Sequence, residues 1–89
     1  MARKEVTIVN KLGLHARAAA KFVTLASTFA SEIFVIRGGR EVNGKSILGV
    51  MMLAASRGTN IEIVAQGADE HDAITKLEAL VNDRFGEPE

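Results

Sequence analysis

His15 and Arg17 stand two residues apart in the run Lys11-Leu12-Gly13-Leu14-His15-Ala16-Arg17, immediately ahead of an alanine-rich stretch. Those residue types at that spacing suit the handling of a phosphoryl group. An imidazole nitrogen can act as nucleophile, general base or ligand near neutral pH. A guanidinium presents a fork of donors matched to phosphate oxygens. If the alanine-rich stretch is a helix, its first N–H groups, those of Ala16 and Arg17, and the positive end of its dipole also favour an anion. Taken alone the signal is weak, because a plain surface helix start can carry the same three residues.

Two other positions invite the same weighing. Ser46 precedes a short apolar run and suits an N-cap, which is reason enough for a serine there. His71 falls in the first turn of a late helix and reads as a surface residue. No second ligand lies at metal spacing from it, so neither a metal nor a cofactor is expected.

The elements that must position these residues follow from periodicity. Glu5 to Ile8 alternates as a half-buried strand does. Asn10 to Leu14 breaks that pattern, with Gly13 as the flexible point. From Ala16 to Ala30, the apolar residues Ala19, Phe22, Val23, Ala26, Phe29 and Ala30 recur at helical spacing, with Arg17, Lys21, Thr24 and Thr28 on the opposite face. Glu32 to Arg37 reads as a strand, Gly38-Gly39 as a hairpin turn, and Arg40 to Asn43 as the returning strand, its charges solvated. Ser46 caps a helix over Ile47 to Ala55, with Gly58 as its C-terminal cap. Asn60 to Gly67 alternates again, Ile61, Ile63 and Ala65 sharing a face. Asp69 caps a last helix whose buried stripe is Ala73, Ile74, Leu77, Leu80, Val81 and Phe85.

The order βαββαβα predicts an α+β fold, a four-stranded antiparallel sheet covered on one face by three helices, an open-faced β-sandwich. The right-handed crossover rule allows the fourth strand to lie between the first and second. At 89 residues the chain suits one domain over residues 1–89. Lysine plus arginine equals aspartate plus glutamate, at 11 each, so no global field draws it to nucleic acid or to an anionic membrane. The absence of cysteine, of a signal-peptide pattern and of a spanning apolar stretch points to a cytoplasmic protein.

Two separated motifs resemble one family: the histidine-containing phosphocarrier protein, HPr, of the bacterial phosphoenolpyruvate-dependent sugar phosphotransferase system. The first is Gly13-Leu14-His15-Ala16-Arg17, similar to the family's active-site segment. The second is Lys45-Ser46-Ile47-Leu48-Gly49-Val50-Met51, similar to its regulatory-serine segment. The likeness extends over nearly the whole chain, since length, element order and both positions agree.

The resemblance implies that His15 takes a phosphoryl group on Nδ1 from enzyme I and passes it to IIA domains of sugar permeases. It implies that Arg17 contacts the phosphate and that HPr kinase/phosphorylase, where present, modifies Ser46. It implies a phosphocarrier rather than an enzyme, monomeric and without cofactor. One departure is visible: many members have proline after the arginine, where this chain has Ala18. A docking face is expected from Ala20, Lys21 and Thr24 on the first helix and Lys45, Ile47, Leu48 and Met51 around the second. There Lys21, Lys45 and Arg17 would form a basic rim and the alanines at 16, 18, 19 and 20 a low-relief surface.

Three other readings compete. An RNA-recognition module shares the element order but needs aromatic residues displayed on its sheet, and this chain has no tyrosine or tryptophan. A purely regulatory relative would lack the histidine. A carrier of the nitrogen-related branch separates poorly from the sugar type, although the Ser46 segment leans toward the latter.

Overall fold

The alternating segments, the β-branched run over residues 33–36 and its return across Gly38-Gly39 become strands, and the 3.6-period segments become helices. The computed structural model describes residues 1–89. The chain runs β1 (Ala2–Thr7), α1 (Ala16–Ala26), β2 (Glu32–Arg37), β3 (Arg40–Asn43), α2 (Ile47–Met52), β4 (Asn60–Gln66) and α3 (Glu70–Asn82), then a 3-10 turn at Arg84–Gly86. All strand pairs are antiparallel, in the order β1-β4-β2-β3, so β4 does lie between β1 and β2.

Register places the apolar positions on one face. Val6 stands opposite Ile61, Val35 opposite Ile63 and Ile33 opposite Ala65. These side chains join Phe22 and Val23 of α1, Val50 of α2, and Ile74, Leu77 and Val81 of α3 in one core. Each such burial is worth about 1.5–3 kcal/mol relative to exposure. The opposite face is polar at Arg3, Glu5 and Glu62, with Phe34 and Val64 adjacent across β2 and β4.

Local chemistry ends several elements differently from the periodic expectation. α1 stops at Ala26, not Ala30: the Thr28 hydroxyl and N–H both return to the Leu25 carbonyl, an alternative to continuing the helix. Phe29 is still buried, but Ala30 is exposed. α2 stops at Met52, not Ala55, and the left-handed residue after it is Ala54 (φ 51°) rather than Gly58. Gly58 instead donates its N–H to Ile8 at 2.7 Å, holding the start of β4 beside β1.

Arg37 and Arg40 are exposed as expected, yet they are not merely solvated. Their guanidinium groups donate to the carbonyls of Leu53 (3.0 Å) and Met52 (3.4 Å). Cations there satisfy carbonyls that a helix end leaves unpaired. Asp69 occupies the N-cap position of α3, but its carboxylate makes no capping bond. It accepts from the Ser31 hydroxyl and from the N–H groups of Ala30 and Ser31, tying the turn after α1 to α3. The Ser31 hydroxyl and then the Ala30 N–H hold its carboxyl below the usual carboxylate range.

Candidate functional site

A left-handed glycine aims the histidine. Gly13 (φ 66°) turns the chain from β1 into α1, and a Cβ there would lie 2.5 Å from the Ala55 carbonyl oxygen. The turn is held by Leu14 N–H donating to Ala55 (2.9 Å) and by buried Asn10, whose Nδ2 donates to the Gly13 carbonyl (2.8 Å). His15 is then the N-cap residue of α1, in extended conformation (φ −71°, ψ 175°). Its ring does not cap the helix. The first bond inside α1 is Ala19 N–H to the His15 carbonyl, at 2.9 Å. The N–H groups of Ala16, Arg17 and Ala18 therefore have no carbonyl four residues back within the helix. A proline at position 18 would remove one of those donors, and Ala18 keeps it.

The ring turns toward the C-terminal segment. Nε2 of His15 meets the Glu87 carboxylate at Oε2, while Asn10 Nδ2 donates to the other oxygen, Oε1, at 2.9 Å. Burial pushes the Glu87 carboxyl up, but hydrogen bonds from Asn10 and His15, with the charges of His15 and Lys21, hold it below its ordinary value. Glu87 is thus ionised at neutral pH, and an ionised carboxylate only accepts. Nε2 must therefore carry the proton, which leaves the Nδ1 lone pair free in the neutral ring.

The segment that delivers Glu87 is anchored at three points. Phe85 is buried in the core, its carbonyl accepts from Lys21 Nζ (2.7 Å), and the Glu89 carbonyl accepts from the Lys11 N–H (3.0 Å). Arg84 and Phe85 both adopt left-handed conformations (φ 58° and 55°), unfavourable for residues with a Cβ. They turn the chain out of α3 and back to His15. Between this tail and the residues Lys11, Leu12, Ala16 and Arg17 lies an open depression of about 530 Å3, with His15 on its wall. Arg17 is exposed on its rim with no carboxylate in ion-pair range.

The residues singled out in the sequence distribute as follows. His15, Ala16 and Arg17 come together. Arg17, Ala20, Lys21 and Thr24 line a second shallow depression on the outer face of α1. Ile47, Leu48, Met51 and also Met52 are exposed on α2, which packs against α1. Ser46 does cap α2, its Oγ accepting from Gly49 N–H at 3.1 Å.

The Lys45 ammonium donates to the Phe29 carbonyl (2.8 Å) and the Lys21 ammonium to the Phe85 carbonyl, bonds that hold both side chains in place and leave both charges unneutralised. The alanines divide: Ala18 and Ala19 are core, Ala16 is exposed and Ala20 half-buried. Sequence pattern does not single out Asn10 or Glu87. No periodicity or motif marks them, because their roles arise only when residues 77 apart in sequence meet.

Comparison with known proteins places these observations. The family described as "PTS HPr component phosphorylation site" matches residues 2–83. Phosphocarrier protein HPr of Neisseria meningitidis serogroup A is 53% identical over 89 residues, all of both chains. Phosphocarrier protein HPr of Cupriavidus necator is 51% identical over the same 89 residues, again covering both completely. Among solved structures, HPr-C-His from Thermoanaerobacter tengcongensis superposes with a TM-score of 0.96 at 45% identity, covering 100% of each chain.

Proposed function

Because the chain belongs to the HPr family of phosphocarriers of the phosphotransferase system, we propose that His15 Nδ1 is the atom that accepts and returns the phosphoryl group. A phosphocarrier is not itself a catalytic enzyme, and its business is with the enzymes of that system. One observation carries the assignment to the atom. The ionised Glu87 carboxylate engages Nε2, leaving the Nδ1 lone pair available at the mouth of α1.

Phosphoryl transfer depends mainly on positioning and on stabilising charge on the equatorial oxygens. The unpaired N–H groups at the start of α1 supply fixed dipoles, and Arg17, free of other partners, supplies a mobile charge. The open depression leaves room for a donor and then an acceptor, as a carrier between two partners needs. Enzyme I is the donor in this reading and IIA domains of sugar permeases are the acceptors. In this reading the carrier works as a single copy, with which a core closed within one chain is compatible.

Docking in this reading uses the exposed apolar residues Ile47, Leu48 and Met51 of α2, which packs against α1, together with Ala20, Lys21 and Thr24 of α1, which line a shallow depression reaching Leu80 of α3. Methionine side chains adapt to several partners. Incubation with phosphoenolpyruvate and enzyme I should place one acid-labile phosphate on the protein. An acid-stable phosphate alone, or none, would overturn the reading.

Ser46 is the proposed regulatory site, for HPr kinase/phosphorylase. A phosphate on its hydroxyl would sit at the start of α2, where negative charge is compatible with the helix, and beside the apolar docking patch, where it is not. Ser46→Asp should therefore keep or raise the urea midpoint and slow phosphoryl uptake about tenfold or more. Uptake at the wild-type rate would remove the switch.

A further inference from the structure

The contact between Glu87 and His15 does more than name a nitrogen. Glu87 approaches from a segment outside the sheet and helices that shape the rest of the site, and both its carboxylate oxygens are engaged, by Asn10 and by His15. Only 12% of its side chain is exposed, against 27% for His15, so water competes weakly for either oxygen. Asn10 is itself fully buried, and its Nδ2 also bonds the Gly13 carbonyl. One asparagine thus ties the glycine turn that aims His15 to the carboxylate that orients its ring. Two left-handed residues and the Lys21 bond hold the tail in that course.

We propose that Glu87 is a positioning residue for phosphoryl transfer, keeping the proton of His15 on Nε2 through the whole cycle. The inference rests on His15 being the phosphoryl acceptor. On uptake, the Nδ1 lone pair forms the N–P bond as the bond between phosphorus and the donor breaks, the donor keeping that electron pair. The Nε2 proton stays where it is, and the ring becomes a phosphorylated imidazolium whose positive charge faces the Glu87 carboxylate. On delivery, the N–P bond breaks, its electron pair returns to Nδ1, and the same proton still sits on Nε2. No proton has to enter or leave the ring in either direction. The carboxylate therefore keeps the ring a good leaving group without a separate acid.

Glu87→Gln tests this closely. An amide offers one oxygen where the carboxylate offers two, yet two donors, Asn10 Nδ2 and His15 Nε2, face it. One of them must then meet the NH2 group. Where that is Nε2, the ring is driven to carry its proton on Nδ1, which removes the nucleophile. The 15N NMR shifts of the unphosphorylated ring should show Nε2 protonated and Nδ1 free in wild type, and a mixture of tautomers in Glu87→Gln. Phosphoryl delivery should slow about tenfold, the lower end of what losing the hydrogen-bond partner of a functional histidine costs in metal sites. Glu78→Gln is the control: the chain loses one carboxylate from α3, where it pairs with Lys4 and lines neither depression. It should match wild type in both readings.

Ring-nitrogen shifts in Glu87→Gln identical to wild type would overturn the proposal, and so would an unchanged delivery rate. The NMR measurement needs no partner protein. If wild type takes up no phosphate, the carrier reading fails while the orienting contact is still judged on its own.

Discussion

A His15→Ala variant incubated with enzyme I and phosphoenolpyruvate takes up no acid-labile phosphate. The loss is complete rather than graded because the imidazole is the atom-for-atom acceptor, and oriented donors have nothing to stabilise without it. The second histidine offers no substitute. His71 lies exposed on α3, outside the depression that His15 and Arg17 share. The change also costs some stability. His15 makes no side-chain cap to α1, but its removal leaves Oε2 of the largely buried Glu87 carboxylate without its partner, at a cost of about 1–3 kcal/mol. A single cooperative urea transition, at a midpoint lowered by no more than that, would show that the variant is folded and that the acceptor is what it lacks. Acid-labile phosphate on the folded variant would sink the assignment of His15.

Gly13→Ala has the opposite profile, with a large effect on the fold and a secondary one on transfer. The added Cβ would lie 2.5 Å from the Ala55 carbonyl oxygen and 2.9 Å from the Ser56 Cα, both main-chain atoms that cannot swing aside. The left-handed conformation costs an alanine about 1–2 kcal/mol. Overpacking adds about 1–3 kcal/mol more. Unfolding in urea should therefore register a loss of about 2–5 kcal/mol. The Leu14–Ala55 and Asn10–Gly13 bonds share this turn, so relief by backbone movement displaces the histidine as well. Transfer should fall even where the variant is folded. A loss below about 1 kcal/mol would show that the turn and the 54–56 segment are not in tight contact.

These two residues show how much can be read before a structure is known. His15 and Gly13 announced themselves through type and spacing, and Ser46 did so through its place before an apolar run. Alternation placed β1 and β4, β-branched and aromatic residues placed β2, the Gly38-Gly39 turn placed β3, and the crossover rule allowed the position of β4 between β1 and β2 that the sheet has. What could not be read was where side chains go when their nearest need is tertiary. Asp69 looks like a helix cap, but two backbone N–H groups and a hydroxyl near residue 31 outcompete the helix for its carboxylate. Lys21 and Lys45 look like untethered surface side chains, yet each ammonium is held by a main-chain carbonyl, of Phe85 and of Phe29. Ala54 gives no hint that it, and not a glycine, will turn left-handed after α2. Glu87 sits between a glycine and a proline that read as the end of a helix. Only the meeting of distant segments gives it a role.

The central position of β4 also bears on how the chain comes to be folded in a cell. β1 pairs with no strand but β4, from Ala2 against Ala65 to Thr7 against Asn60. Of the four strands of this sheet, the first to be made is thus partnered by the last. At about 5–20 residues per second, β1 waits on the order of 3–12 s with both edges unpaired. Closing so long a loop is slow compared with forming a local hairpin such as β2–β3. The early chain is therefore an open strand followed by a hairpin whose two strands can already pair. Synthesis, and not docking of the helices, sets when the sheet can first exist.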